Sequence, residues 1–504
     1  MRFPGFIGPA YTLKTVNADC QRCVNLYPEI NEMGKGKEAE VAWLRSTPGL
    51  EPLSGIYSVG FGQIRLLKVF QPGAEGETAN AIAFVVSGNK VYKCSYTTSW
   101  ATTEIGTLDT SSGDVSFAYV EKTGRAVFVD GTNSYIYWRY DSGGAVYVDG
   151  FWPYSTEGYS KVTGASQVIA IDGYFIFCNG TNYFYVSDSY SPNVDALSFA
   201  GSEGDADLIV GMISNQRDLW VFNQRSTELF VNTGNPDFPF ERVSGGFIEK
   251  GCLAAGSIAK IEAYVFWLGR DEFGQGVVYA GHGLSPERIS THAIETAIQG
   301  YASPSTAKAF TYQSGGHSFY VLNFDEATWV YDLSTKMWHE RMYLNAGTEE
   351  RYRAQFIAFI PYLGVHIASD YENSNFYQLN DDYYTDNGNA IARIRTAPHV
   401  SGSLNRMFHK KFQLDMETGV GLDGGVQGSD PQVIMQFSDD GGHTWSDEAW
   451  ASAEQTVGAI GEYKTRVIYR RLGKSRDRVY RVTITDPVKV SILGADIDVE
   501  PGAS

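Results

Sequence analysis

The sequence predicts an all-β protein, a β-propeller of six or seven blades followed by a β-sandwich platform domain. The first observation is a hairpin written plainly at Tyr320-Val321-Leu322-Asn323-Phe324-Asp325-Glu326-Ala327-Thr328-Trp329-Val330-Tyr331-Asp332. An apolar run of strand length breaks at a polar turn and a second apolar run follows at once. The second is its recurrence at blade-like intervals. The third is composition: 32 Tyr, 28 Phe and 10 Trp with 54 Gly and few long apolar runs suit short, aromatic-rich strands joined by many turns.

The same turn is flanked by Val86 and Val91, Val129 and Tyr135, Phe177 and Tyr183, Phe222 and Leu229, Leu268 and Val277, and Ile367 and Phe376. Measured on the returning strands at Val91, Ile136, Phe184, Phe230, Val278, Val330 and Tyr377, the repeat is about 45 to 52 residues, the period of propeller blades and not of helical solenoids. At Asp332-Leu333-Ser334-Thr335-Lys336-Met337-Trp338 a further turn starts another strand, and the unit resembles a kelch-type blade.

The formal charge of −18 argues against a protein that grips nucleic acid by neutralising phosphates, which needs a basic face. Five cysteines, Cys20, Cys23, Cys94, Cys178 and Cys252, cannot all pair and are not spaced as a disulfide framework, so folding in a reducing cytoplasm is expected. Met1-Arg2-Phe3-Pro4-Gly5-Phe6-Ile7-Gly8-Pro9 has glycine and proline where a signal peptide needs an apolar helix. No stretch of about 20 apolar residues follows, so no membrane span is expected.

Residues 1–60 read as an extended N-terminal segment packing on the platform, punctuated by Pro4, Pro9, Pro28, Pro48 and Pro52, with a charged break at Lys35-Gly36-Lys37-Glu38. Cys20-Gln21-Arg22-Cys23 invites a redox or zinc reading. The first needs a helix start after a strand, and the second needs two more ligands at matching spacing. Val24-Asn25-Leu26-Tyr27-Pro28 looks instead like a strand leading to a turn, and a structural role is expected.

The run Cys23-Val24-Asn25-Leu26-Tyr27-Pro28-Glu29, the lysine-glycine break, Ser46-Thr47-Pro48-Gly49-Leu50 and Gly62-Gln63-Ile64-Arg65 resembles the opening of the packaged-DNA stabilisation proteins of short-tailed bacteriophages. These are tail hub or nozzle subunits. The resemblance resumes at Arg471-Leu472-Gly473-Lys474-Ser475-Arg476-Asp477-Arg478-Val479-Tyr480-Arg481-Val482 and Asp486-Pro487-Val488. It implies a homo-hexamer below the portal-adaptor (head-to-tail connector) ring, with a tail needle or plug at the far end and tailspikes or tail fibres around it. It implies a virion tail location, with genomic double-stranded DNA passing through the lumen without tight binding. It also marks Cys23, Asn25, Leu26, Tyr27, Pro28, Glu29, Arg476, Asp477 and Arg478 as assembly motifs.

Residues 61–390 are assigned to the propeller. Propellers host glycosidases that use paired carboxylates, and Asp130, Asp172, Asp188, Asp218, Asp271 and Asp370 are available. They sit mostly at hairpin turns, where aspartate bonds the local backbone, so no catalytic residue is assigned. Asp381-Asp382-Tyr383-Tyr384-Thr385-Asp386-Asn387-Gly388-Asn389 lacks the alternating oxygen spacing of an EF-hand loop. It reads as a solvated linker closing the propeller, and neither metal nor cofactor is assigned.

Residues 391–504 form a β-sandwich with strands near Val433–Phe437, Thr465–Tyr469, Val479–Ile484 and Val488–Ile492. Ser438-Asp439-Asp440-Gly441-Gly442-His443-Thr444-Trp445 matches the Asp-box pattern, with Ser438, Asp440, Gly442, Thr444 and Trp445 as a structural turn. There the aspartate satisfies amides, glycine takes unusual backbone angles and tryptophan packs beneath. Tyr463 to Asp486 carries Lys464, Arg466, Arg470, Arg471, Lys474, Arg476, Arg478 and Arg481, and strand alternation places much of this charge on one face, either solvated or docked on an acidic partner or a neighbouring subunit. A structural virion protein without enzymatic activity is the reading chosen, ahead of a propeller glycan hydrolase or a glycan-binding protein.

Overall fold

The computed structural model describes residues 1–30, 42–60, 62–70, 79–141, 147–202, 207–270, 274, 276–403, 405–448 and 456–502; the Lys35–Glu38 break and Asp271 lie outside them. Among the described residues the fold is strand throughout except for three single-turn 3-10 segments and one helix, His292–Gly300, whose first turn is capped by Thr291 Oγ1 accepting from the Ile294 amide at 3.4 Å. That helix is absent from the sequence reading because its nine residues are too short to show a helical period.

Seven blades close a ring. Blades one to five are four-stranded antiparallel meanders over 64–107, 116–153, 167–201, 209–248 and 259–288. Blade six comprises Lys308–Ser314, His317–Asn323, Thr328–Asp332 and Met337–Asn345. Blade seven comprises Ala354–Ile360, Val365–Asp370 and Phe376–Asn380, with Gly49–Pro52 as its outer strand. All seven hairpins of the sequence repeat are the turns between second and third strands, at one equivalent place in every blade.

The two-residue period of a strand explains why the ring packs as it does. In blade one, Phe84 and Val86 join Ala126, Phe128 and Tyr137 of blade two, whereas Ala83 and Val85 join Ile360, Ile367 and Phe376 of blade seven. In blade six, Tyr320 and Leu322 face Phe266 and Leu268 of blade five, and Phe319 and Val321 face Ala354 and Ala368 of blade seven. Each blade thus buries both faces, and closure leaves no inter-blade face open. Gly49–Pro52 comes from the N-terminal segment, so residues 49–52 complete blade seven instead of packing on the sandwich. Pairing the start of the chain with the last blade ties the ring shut.

The sandwich has two sheets. One contains Arg393–Thr396, Asp477–Ile484, Ile434–Ser438 and Val400–Ser401. The other orders Leu26–Ile30, Ala42–Ser46, Ser491–Pro501, Met407–Met416 and Val467–Arg470. Phe3, Phe6, Phe412, Leu414, Tyr469, Tyr480, Val482 and Ile497 fill the space between, with the Phe412 and Tyr480 rings stacked at 5.0 Å. This core is continuous with the cluster between blades five and six.

Two expectations are corrected. Val24 to Pro28 is not one strand ending at a turn: Cys23–Val24 and Leu26–Ile30 are separate strands split at Asn25, and Pro28 lies inside the second, an edge strand of its sheet, where a missing N–H is tolerated. The 381–389 run is more than a solvated linker. Asp386 and Asn389 pair across a tight Asn387-Gly388 turn with φ of 50° and 80°, and Asp386 also pairs with Leu50.

Candidate functional site: the junction of propeller and sandwich

The outer strand of blade six does not end its sheet. Val24 pairs in parallel with Glu340, and Cys23 and Val24 pair antiparallel with Arg395 and Ile394, which in turn pair with Val482 and Thr483. One sheet therefore runs from the propeller through a two-residue strand into the sandwich.

Asn25 follows, with φ of 51°, and Leu26 opens the other sandwich sheet. A chain that switches sheets within one residue needs a sharp bend, and asparagine tolerates the left-handed region better than most residues. Its side chain also replaces the ladder bonds lost at the bend. Nδ2 donates to the carbonyls of Met342 at 3.0 Å and Ala392 at 2.9 Å, and Oδ1 accepts from the Met342 amide at 3.1 Å. The Asn25 amide donates to Glu340 O at 2.9 Å, and its carbonyl accepts from the Thr47 amide at 3.1 Å. Blade six, the inter-domain link and the N-terminal segment meet on this residue.

The other residues of the motif sit around it. The Cys23 thiol donates to Leu26 O at 3.2 Å, and burial pushes its pKa up to about 12. Leu26 enters the sandwich core, while the Tyr27 ring meets Phe319 edge-on at 5.3 Å in the core between blades six and seven. Glu29 lies 3.5 Å from Arg45 and 3.6 Å from His317, whose other ring nitrogen donates to Asp332 at 2.7 Å.

Arg395 is the anchor that sequence reasoning missed. It is fully buried, and its guanidinium donates to the carbonyls of Phe6 at 2.6 Å, Pro9 at 2.9 Å, Gly5 at 3.0 Å and Arg22 at 3.3 Å, and to Gln21 Oε1 at 2.7 Å. The planar fork of donors fits a ring of carbonyls as no other side chain does. Burial lowers its pKa. Arg393, two residues earlier, likewise donates to the carbonyls of Ile391, Tyr384 and Asp486 and is lowered to about 10 by burial. The available signal was Ile391-Ala392-Arg393-Ile394-Arg395, arginines alternating with apolar residues outside the basic run of 464–481.

The C-terminal motif divides. Arg476 is exposed. Asp477 accepts from His399 Nδ1 at 2.8 Å, and His399 Nε2 lies 3.3 Å from Val16 O and 4.0 Å from Cys20 Sγ. This Asp-His-Cys order does not make a working nucleophile: the Cys20 thiol is buried and pushed up to about 11, so it keeps its proton. Arg478 is 1% exposed and forks onto the Asp439 carboxylate at 2.6 and 2.7 Å, with Leu472 O as a third acceptor and the Phe437 ring 3.9 Å away. The Asp box forms around it. Asp440 accepts from the Thr444 amide and hydroxyl at 2.9 and 2.6 Å and from Ser438 Oγ at 2.7 Å, while the Gly442 amide donates to Ser438 Oγ at 2.8 Å. These bonds, the Thr444 hydroxyl first, hold the Asp440 carboxyl far below its usual range. Trp445 lies under the Arg481 guanidinium at 3.5 Å.

The basic run therefore does not share one face. Arg478 and Arg481 turn inward onto Asp439 and Trp445. Arg470, Arg471 and Lys474 surround a surface basin with Phe408, Lys410 and Lys411 from the neighbouring strand, and Lys410 pairs with Glu500. The turn between Arg470 and Lys474, with φ of 60° at Arg471, breaks the alternation that a single strand would have kept.

Most of the described blade carboxylates serve turns and ion pairs. Asp130 Oδ1 accepts from the Thr132 and Asn133 amides at 3.0 and 2.8 Å, and Asp172 pairs with Arg217 at 3.1 Å. Asp370 and Asp386 flank Arg353 at 3.2 and 2.9 Å in a buried triad, where burial raises Asp386 to about 6. No group of three or more His, Cys, Asp or Glu side chains able to hold a metal occurs among the described residues, and all five cysteines are free and buried. No helix among the described residues is long and apolar enough to cross a membrane.

Among solved structures the chain is similar to the WD40 β-propeller domain of Doa1 (12% identity, 66% of this chain and 96% of that chain, TM-score 0.38). It is likewise similar to the N-terminal domain of Nup159 (11% identity, 71% and 98% covered, TM-score 0.41). No curated protein matches it. The family model described as bacteriophage P22 Gp10, beta-propeller, matches residues 18–384, and that described as bacteriophage P22 Gp10, beta-sandwich, matches residues 392–500. A seven-bladed propeller stitched to a sandwich at Asn25, matched over nearly its whole length, places this chain in the bacteriophage P22 Gp10 family of tail hub, packaged-DNA stabilisation proteins.

Proposed function

We propose that the protein is a nozzle subunit of the phage tail: six copies form a ring below the portal and adaptor, hold the packaged genome until infection and conduct it outward at ejection. The family match over both domains carries this reading. The sandwich with the N-terminal segment up to Ser46 is the ring-forming platform and the propeller faces outward or downward; the division is 1–60, 61–390 and 391–504, with Gly49–Pro52 given to blade seven. The continuous sheet and the Asn25 and Arg395 anchors support it, because a subunit loaded by pressurised DNA needs its two domains to move as one body. The ring meets the connector above, a needle or plug below, and spikes or fibres at the side. No step of catalysis is assigned, since Asp130, Asp172, Asp370 and Asp386 are engaged by turns and arginines.

An acidic wall suits a conduit. Gripping a duplex means neutralising several phosphates, and a chain at −18 is poorly equipped for that over a long contact. A wall that repels phosphate lowers friction and leaves retention to the plug. Titrating duplex DNA against the protein across a salt series tests this: negligible binding at physiological salt is expected. Tight binding with a steep salt slope, abolished by neutralising the arginines and lysines of the 410–474 basin, would make the wall itself the clamp.

A further inference from the structure

In the sandwich sheet that ends at Val467–Arg470, the long strand Met407–Met416 is distorted on both sides at one level. Toward Val467–Arg470, Lys411 lies opposite Arg470 and Phe408 opposite Lys474. Between those pairs Arg471, Leu472 and Gly473 face only His409 and Lys410, so the longer side bows outward. The Arg471 and Leu472 amides donate to the Lys410 and His409 carbonyls at 3.0 Å, and the His409 amide donates to Gly473 O at 2.9 Å. On the other side the register with Ser491–Pro501 skips between His409 and Lys411. Bulges of this kind re-aim side chains. Here they bring Lys410, Lys411, Arg470, Arg471 and Lys474 around one surface basin of about 850 Å³, with the half-exposed Phe408 ring in its wall and Asp498 as its one lining carboxylate among the described residues.

Five of the chain's 40 Lys and Arg residues meet on this basin, although the protein as a whole stands at −18. Their own partners are few. Lys410 pairs with Glu500, and the Lys411 ammonium reaches the neutral Gln413 Oε1 at 3.5 Å. Among the described residues no carboxylate pairs with Lys411, Arg471 or Lys474. Carboxylates from outside the chain would relieve several of these like charges at once. Acid borders the basin on one side: the next strand, about 4.8 Å away, carries Asp496, Asp498 and Glu500 in alternation, while Ala495 and Ile497 between them turn into the core. A DNA duplex, with grooves about 12 and 6 Å wide, could not cover the basic lane without setting phosphates on that acidic stripe. The flat face of a second folded copy could not enter a concave site, but a single extended chain can. Phe408, 47% exposed, also offers an apolar contact that a phosphodiester backbone does not use.

We propose that this basin docks an extended acidic segment of a partner protein, with carboxylates on Lys411, Arg471 and Lys474 and an apolar side chain against Phe408. Alternate residues of an extended chain stand about 7 Å apart on one side. Phe408 and Lys411, three residues apart on their strand, are about 10 Å apart, so a segment of acid-x-acid-x-apolar pattern spans the basin. The Lys410–Glu500 pair is the same contact made within the chain. The site is independent of the ring reading, because the charges of one sheet alone define it.

The test uses the full chain and the fluorescence anisotropy of labelled peptides: Glu-Ser-Glu-Ser-Phe, its basic counterpart Lys-Ser-Lys-Ser-Phe and the ring-free Glu-Ser-Glu-Ser-Ser, beside a short labelled DNA duplex. Glu-Ser-Glu-Ser-Phe should bind saturably, more weakly as salt rises, and Lys-Ser-Lys-Ser-Phe should not bind. R471N/K474Q should weaken the acidic peptide about tenfold while Tm stays within about 1 °C; asparagine suits the φ of 60° at Arg471. K250Q, which changes an exposed lysine of the propeller, should leave binding unchanged. F408S should remove the advantage of Glu-Ser-Glu-Ser-Phe over the ring-free peptide. If R471N/K474Q does not fold, K411Q and K474Q should each weaken binding about threefold. No saturable binding, equal binding of the basic peptide, or unchanged affinity in the basin variants would overturn the assignment. Duplex DNA displacing the acidic peptide, or self-association of the chain that the same variants abolish, would also overturn it, giving the basin to nucleic acid or to a second copy.

Discussion

Asn25 and Met342 exchange two hydrogen bonds, the side-chain amide donating to the Met342 carbonyl at 3.0 Å and accepting from the Met342 amide at 3.1 Å. An asparagine here imitates a strand residue for blade six while its backbone turns away toward the second sandwich sheet. The left-handed bend and the amide side chain are both required, and few residues offer both.

Replacing Asn25 should separate these contributions. Asn25→Gly keeps the bend and loses the bonds; Asn25→Ala loses both. With buried groups of Met342 and Ala392 left unpaired, we expect at least about 3 kcal/mol of destabilisation for Asn25→Gly and about 1 kcal/mol more for Asn25→Ala. Urea unfolding followed by tryptophan fluorescence measures both. Equal, small effects would show that the bend is held elsewhere.

Arg395→Lys keeps a charge and discards the fork. Three ammonium donors cannot serve the carbonyls of Gly5, Phe6, Pro9 and Arg22 together with Gln21. Amide exchange over residues 3–16 should accelerate strongly while the core strand Ala81–Ser87 of blade one stays protected. Uniform exchange across both regions would mean global destabilisation instead of release of the N-terminal segment.

Much of this architecture was legible in the sequence. Seven hairpins at a blade period are visible because each strand alternates between two inter-blade cores, so the pattern survives even where residues differ, as between Val86/Val91 and Phe222/Leu229. The Asp box was legible because its bonds are local. The junction was only half visible: the motif around Asn25 could be read, but its partners Met342, Ala392 and Arg395 lie more than 300 residues away, and no local rule joins them. The inward turn of Arg478 was hidden for the same reason, because strand alternation gives a face and not its neighbour, which here is Asp439.

Two buried groups should tilt the pH dependence of stability in opposite directions. His409, between Ser475 Oγ at 2.9 Å and the Tyr480 hydroxyl at 2.7 Å, is lowered to about 4 by burial and then by the Arg478 charge. Its contribution is complete above the unfolded value of about 6.5 and is lost as pH falls toward 4, because the unfolded chain takes up the proton first; the loss is up to about 3 kcal/mol. Asp386, raised to about 6, has the reverse sign: the folded state holds the proton more tightly, so stability falls as pH rises from about 4 to 6. His409→Gln should therefore reduce the acid loss and Asp386→Asn should deepen it, read from urea midpoints between pH 4 and 7. Changes of like sign in the two variants would contradict the assignment.

Assembly should depend on Arg476 and not directly on Arg478. Reversing the exposed Arg476 to Glu is expected to leave Tm within about 1 °C while weakening incorporation into tails. Reversing Arg478 would set two carboxylates together and unfold the Asp-box turn, a folding defect of several kcal/mol. Normal incorporation of Arg476→Glu, measured by immunoblot of purified particles, would remove this residue from the interface.

A nozzle subunit must form a ring, and the proposed platform of that ring is the sandwich with the N-terminal segment. Electron-microscopic images of the purified protein, with and without the connector ring of its own phage, test it most directly. Closed rings of six copies are expected on the connector, coaxial with it, open along the axis, with the sandwich against the connector and the propellers outside or below. Single copies that never join the connector, or rings built through propeller contacts with the sandwich pointing away, would contradict it.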